Sequence, residues 1–121
     1  MSSHTLFVLV LIVPLFALLR GGVGLRLGAR PYPTTGLLAH KLLAVGIVIA
    51  LIVRVFRAQQ AGLSSLQWTL AGLAGLFLLA ALGTGGALGT TGEASPALKL
   101  AHRAMSIAGT LLAVVLLVLL W

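Results

Sequence analysis

Cysteine is absent from the chain, which removes disulfides, thiolate metal sites, iron–sulfur clusters and thioether-attached haem from consideration. Acid is almost absent too. Glu93 is the only carboxylate side chain in 121 residues, against eight Lys and Arg, for a formal net charge of +7. Proton and cation transport normally needs a buried acid within an apolar span, and none of the apolar stretches contains one. The same lack leaves Ser106, one turn after His102, without the orienting acid of a hydrolytic relay, so its hydroxyl is expected to bond its own helix. Zinc wants three or four ligands, and only two histidines can converge here. Copper on His40, His102 and Met105 would lack supporting residues around it.

What the chain has in abundance is apolar side chains, at 60 % of residues against 7 % charged. That composition belongs to membrane proteins. Four apolar stretches, over about 5–19, 35–55, 65–83 and 97–121, are each long enough to cover roughly 20 to 35 Å as a helix. The expected fold is therefore a single all-α integral membrane domain, 1–121, built as a four-transmembrane-helix bundle in up-down-up-down order. Met1-Ser2-Ser3-His4 carries no Lys or Arg and no small-residue cleavage pattern follows, so the first stretch reads as a helix and not a signal peptide. Basic residues flank the spans singly or in pairs and form no patch. The partner they fit is the lipid bilayer, with its anionic headgroups, and not nucleic acid.

Helix 1 contains Pro14, expected to kink it, and is expected to end where Arg20-Gly21-Gly22 arrives. Arg30-Pro31-Tyr32-Pro33 cannot continue a helix, and Thr34 or Thr35 is the expected cap of helix 2. Ser64 or Ser65 should cap helix 3, whose Gly72 and Gly75 admit a close neighbour. The run GTGGALGTTG over 83–92 reads as a second glycine-rich connector, after which Pro96 suits the first turn of helix 4. His4, Tyr32, Trp68, Trp121, Arg54 and Arg57 are expected at the membrane interfaces.

Sliding the chain by 62 residues superimposes Gly21 on Gly83, Gly24 on Gly86, Leu38-Ala39-His40-Lys41 on Leu100-Ala101-His102-Arg103, and one glycine-rich connector on the other. One helical hairpin is used twice, as in repeats related by an axis along the membrane normal. That symmetry puts His40 and His102 at one depth, on helices 2 and 4, which are diagonal partners in such a bundle. Two neutral imidazoles on opposite rigid helices are the donor set of a bis-His haem iron. The cations Lys41, Arg103, Arg26 and Arg30 would face its propionates. Ala44, Gly46, Ser106 and Gly109 are small enough to leave room for a flat macrocycle.

A glycine-rich connector leading into LAHK or LAHR at the start of a membrane helix, duplicated in a four-helix unit, resembles small b-type membrane cytochromes. The cytochrome b561 group and the four-helix half of haem A synthase are the families in view. The resemblance covers the two connectors and the starts of helices 2 and 4, about a third of the chain, and implies that His40 and His102 are axial ligands of haem b. Cytochrome b561 proteins carry two histidine pairs, whereas this chain has one, which implies one haem on one side. The histidines on odd-numbered helices and the carboxylate of haem A synthase are missing. The function expected is electron transfer to or from a quinol or a partner redox subunit, the partner being another protein or a second copy of this chain. The alternative is a cofactor-free structural or assembly subunit of a larger membrane complex. Six basic residues on the connector side against two on the other put the connectors in the cytoplasm and the termini outside, in a prokaryotic cytoplasmic membrane.

Overall fold

In hydrocarbon a backbone amide finds no water, so an apolar run satisfies its hydrogen bonds internally and winds into a helix. The computed structural model describes residues 1–27, 34–90 and 94–120, and among them every side chain except those of His4, Phe7, Val8, Leu27 and Thr90. Arg30, Tyr32, Glu93 and Trp121, together with the side chain of His4, therefore lie outside the described residues. The chain forms α1 (Ser3–Leu27), α2 (Thr34–Gln59), α3 (Ser65–Thr90) and α4 (Pro96–Leu119). All four are long and apolar enough to cross a membrane.

The helix starts follow local chemistry. At α3, Gln67 N donates to Ser64 Oγ at 3.2 Å while Ser64 N donates to Gln67 Oε1 at 2.9 Å, a reciprocal capping box. At α4, Leu98 N donates to Ser95 Oγ at 3.1 Å and Pro96 occupies the first turn, where its missing N–H costs nothing. Between α2 and α3 the chain turns at Gly62, whose φ of 86° is the left-handed region that glycine tolerates best. The starts of α1 and α3 are 62 residues apart, 3 to 65, and so are those of α2 and α4, 34 to 96.

The helix ends depart from the sequence expectation. α1 does not stop at Leu19 but runs through Gly21, Gly22 and Gly24 to Leu27, and α3 passes Gly83 and continues to Thr90. Each glycine disfavours a helix by about 1 kcal/mol. An amide shielded from water without a partner costs more than that. α4 begins at Pro96 and ends at Leu119, two residues short of the expected end.

Leu11 and Leu15 of α1, Ile47 and Leu51 of α2, Ala74 and Leu78 of α3, and Ala113 and Leu117 of α4 form one buried cluster. α3 and α4 are the most closely packed pair, α1 lies on α2 and more lightly on α4, and α2 lies on α3. Gly109 makes the α3–α4 approach feasible: a Cβ there would come within 3.1 Å of the Leu78 backbone nitrogen. At the far end, Arg54 is buried and its Nη2 donates to the Leu120 carbonyl. Gln67 Nε2 donates to the Leu119 carbonyl at 2.9 Å. Side chains from α2 and α3 thus cap the carbonyl end of α4. The outer surface is apolar, with Phe16, Leu42, Ile52, Phe56, Leu76 and Leu111 all exposed.

Candidate functional site

His40 and His102 each stand six residues after the first residue of their helix, 34 to 40 and 96 to 102. His40 heads the inward stripe of α2, His40–Ile47–Leu51–Arg54, at helical spacings of seven, four and three. Both imidazoles are half-buried at the connector end, beyond the apolar cluster.

Glycines make the space for each ring. On α1, a Cβ at Gly22 would stand 3.3 Å from His40 Cε1, and one at Gly21 would stand 3.6 Å from His40 Nδ1. On α3, a Cβ at Gly85 would reach within 2.8 Å of His102 Cε1 and 3.3 Å of its Nδ1. Residues 21–27 and 83–90, expected within the connectors, are therefore helical walls, and the glycines' missing side chains are what lets the imidazoles pack between helices.

The two rings differ in their hydrogen bonds. His102 Nδ1 lies 3.0 Å from the Ala81 carbonyl oxygen and 3.2 Å from Thr84 Oγ1. A carbonyl can only accept, so Nδ1 carries the proton and the Nε2 lone pair is left free. Thr84 gives its own hydroxyl proton back to α3, with Oγ1 2.8 Å from the Ala80 carbonyl oxygen, and so accepts from the imidazole. A backbone carbonyl on the far nitrogen is the arrangement that orients metal-ligating histidines. His40 Nδ1, by contrast, is buried with no hydrogen-bond partner.

The remaining expected site residues divide. Ala44 and Ser106, one turn beyond their histidines, are half-buried, and Ser106 Oγ donates to the His102 carbonyl oxygen at 2.6 Å, bonding its own helix. Gly46 lies on the exposed face of α2 with nothing near a Cβ placed there. Six residues are about one and two-thirds turns, so it points away from the His40 stripe and does not line the interior. Gly109 is buried, but the group against it is Leu78, so it serves the α3–α4 contact. Lys41 is half-buried, and its Nζ reaches across to α3 at Gly89, 2.5 Å from where a Cβ would sit. Arg26 and Arg103 are exposed. Arg30 lies outside the described residues.

Thr84, the Ala81 carbonyl and Gly85 were not legible as site groups, because in the 62-residue repeat Thr84 overlies Gly22 and Gly85 overlies Val23. The sign of their role lay in spacing: Ala81, Thr84 and Gly85 share one face of α3 at i, i+3 and i+4. Among the described residues no three His, Cys, Asp or Glu side chains converge as a metal-binding group. Two imidazoles are nevertheless a complete protein donor set for an axially ligated haem iron, and the free Nε2 of His102 fits that group. Elsewhere, an apolar recess of about 360 Å³ opens between α2 and α3, with Val48, Phe56, Gln59, Trp68, Gly72 and Gly75 in its lining. No protein family, curated protein or solved structure matches the chain.

Proposed function

We propose that the protein is a b-type cytochrome: a membrane-spanning, up-down-up-down four-helix bundle that holds one haem b between His40 and His102. The observation that carries the reading is His102, whose Nδ1 is committed to the Ala81 carbonyl while Nε2 is free, with His40 at the same helical register. Contacts between helix ends support the bundle order. The start of α2 meets the end of α1 through His40 and Gly22, the start of α4 meets the end of α3 through His102 and Gly85, and the start of α3 meets the end of α4 through Gln67 and Leu119.

Bound haem supplies a one-electron couple whose potential follows axial ligation and burial. The chain's own part is to present two neutral imidazoles, to fix the His102 tautomer through Ala81, and to shield the site with four apolar helices. Arg26 and Arg103, exposed at the connector end, face anionic groups such as propionates there. Electrons pass to or from a quinol or a partner redox subunit. For a quinol, the α2/α3 recess is the apolar opening, beginning at Val48, eight residues and so about 12 Å along α2 from His40. With Arg54 buried as a helix cap, Arg57 is the basic residue left at the exposed terminal end of α2. The charge bias thus favours cytoplasmic connectors.

Absorption spectra of the purified protein, before and after dithionite, test the reading. A Soret band with sharp reduced α and β bands is expected, and His40→Ala and His102→Ala should each abolish the sharp bands. A colourless preparation would point to the cofactor-free assembly subunit instead, a role for which the open Gly72 and Gly75 on α3 give a helix-docking face.

A further inference from the structure

The repeat makes the two histidines equivalent in sequence, but the fold does not make them equivalent as ligands. His102 is held by a carbonyl and a hydroxyl as the tautomer that offers Nε2. For His40 to offer Nε2, its proton must sit on Nδ1, and that atom is buried without an acceptor. A buried donor left unpaired is penalised by roughly 1 to 3 kcal/mol, a penalty His102 escapes. On α1 the residue nearest Nδ1 is Gly21, which has no hydroxyl to stand where Thr84 stands beside His102.

We infer that His102 is the permanent axial ligand and His40 the exchangeable one, so that the His40 side of the site is a coordination position for a small neutral ligand of ferrous haem iron. This rests on the bis-His reading above. In the exchange the bond from His40 Nε2 to iron breaks and a bond from the incoming ligand's lone pair forms. One electron pair replaces another, with no change of oxidation state and no proton transferred. No hydrogen bond holds Nδ1 of the His40 ring, which packs against Gly21 and Gly22 of α1. His102 is tied to α3 and pressed on Gly85.

Carbon monoxide is the probe, added to the dithionite-reduced full-length protein and followed by the Soret shift. The wild type should bind it. His40→Ala should keep its haem and bind carbon monoxide more tightly, and His102→Ala should lose its haem. Gly21→Ser places a hydroxyl beside Nδ1, where a Cβ already stands 3.6 Å away. The new partner should weaken carbon monoxide binding about 2- to 10-fold, the worth of one hydrogen bond. Gly24→Ser, which meets nothing within 4 Å, should leave the affinity unchanged. A haem-loaded wild type that refuses carbon monoxide overturns the inference while leaving the bis-His reading intact. So do a Gly21→Ser variant indistinguishable from Gly24→Ser, and haem retained in His102→Ala but lost in His40→Ala. A wild type with no Soret band overturns both.

Discussion

Gly85→Ala would crowd the His102 imidazole. The added methyl would sit 2.8 Å from His102 Cε1 and 3.3 Å from Nδ1, where carbon contacts settle at about 3.5 to 4.0 Å. The imidazole cannot retreat freely, because its Nδ1 is bonded to the Ala81 carbonyl at 3.0 Å on the same helix. Either the ring turns and loses that bond, about 1 kcal/mol, or α4 shifts and meets the resistance of a packed interface, about 1 to 3 kcal/mol. Alanine returns up to about 1 kcal/mol of helix propensity, leaving a net loss of up to about 2 kcal/mol. Gly83→Ala, two residues earlier on the same helix, meets nothing within 4 Å and keeps only the propensity gain. Thermal melts of both variants in detergent, followed by far-ultraviolet circular dichroism, should therefore shift in opposite directions. The Gly85→Ala protein should also show displaced reduced absorption bands. Equal shifts, or unchanged bands, would refute the account of how His102 is seated.

Gly109→Ala should destabilise by about 2 kcal/mol in the same melts, since the methyl would meet Leu78 Cδ2 at 2.9 Å and its backbone nitrogen at 3.1 Å, and backbone cannot yield as a side-chain end can. Gly46→Ala, exposed and unhindered, should be neutral to stabilising by up to about 1 kcal/mol. Its spectra should not change; a band shift would put Gly46 back inside the bundle. Arg54→Met removes the donor to the Leu120 carbonyl and should cost about 1.5 to 3 kcal/mol, the range for hydrogen bonds to charged groups. Hydrogen exchange faster at the C-terminal turn of α4 than elsewhere would locate the loss.

Much of this arrangement was legible in the sequence where a single residue type decides the matter. Ser64 and Pro96 mark helix starts because a side-chain acceptor and a missing N–H suit only that position. The shared register of His40 and His102 follows from the 62-residue repeat. The glycine-rich ends misled because glycine is a helix breaker in water, whereas an apolar surrounding leaves the backbone no better partner than itself. Charge alone gave no sign that Arg54 turns inward. Its spacing of fourteen residues from His40 puts it on the inward stripe, and that spacing was the readable sign. Thr84 and the Ala81 carbonyl escaped notice because a backbone acceptor has no sequence signature and the hydroxyl occurs in only one hairpin. Gly46 shows the opposite error, a small residue assigned inward by size when helical phase turns it out.

The most direct measurement of the central claim is the ratio of haem to polypeptide, by pyridine haemochrome against quantitative amino-acid analysis, for the wild type and for a variant carrying His40→Ala and His102→Ala together. One haem b per chain in the wild type and none in the double variant is the result the account predicts. A wild type purified without haem after haem supplementation, or a double variant that keeps the wild-type ratio, would contradict it.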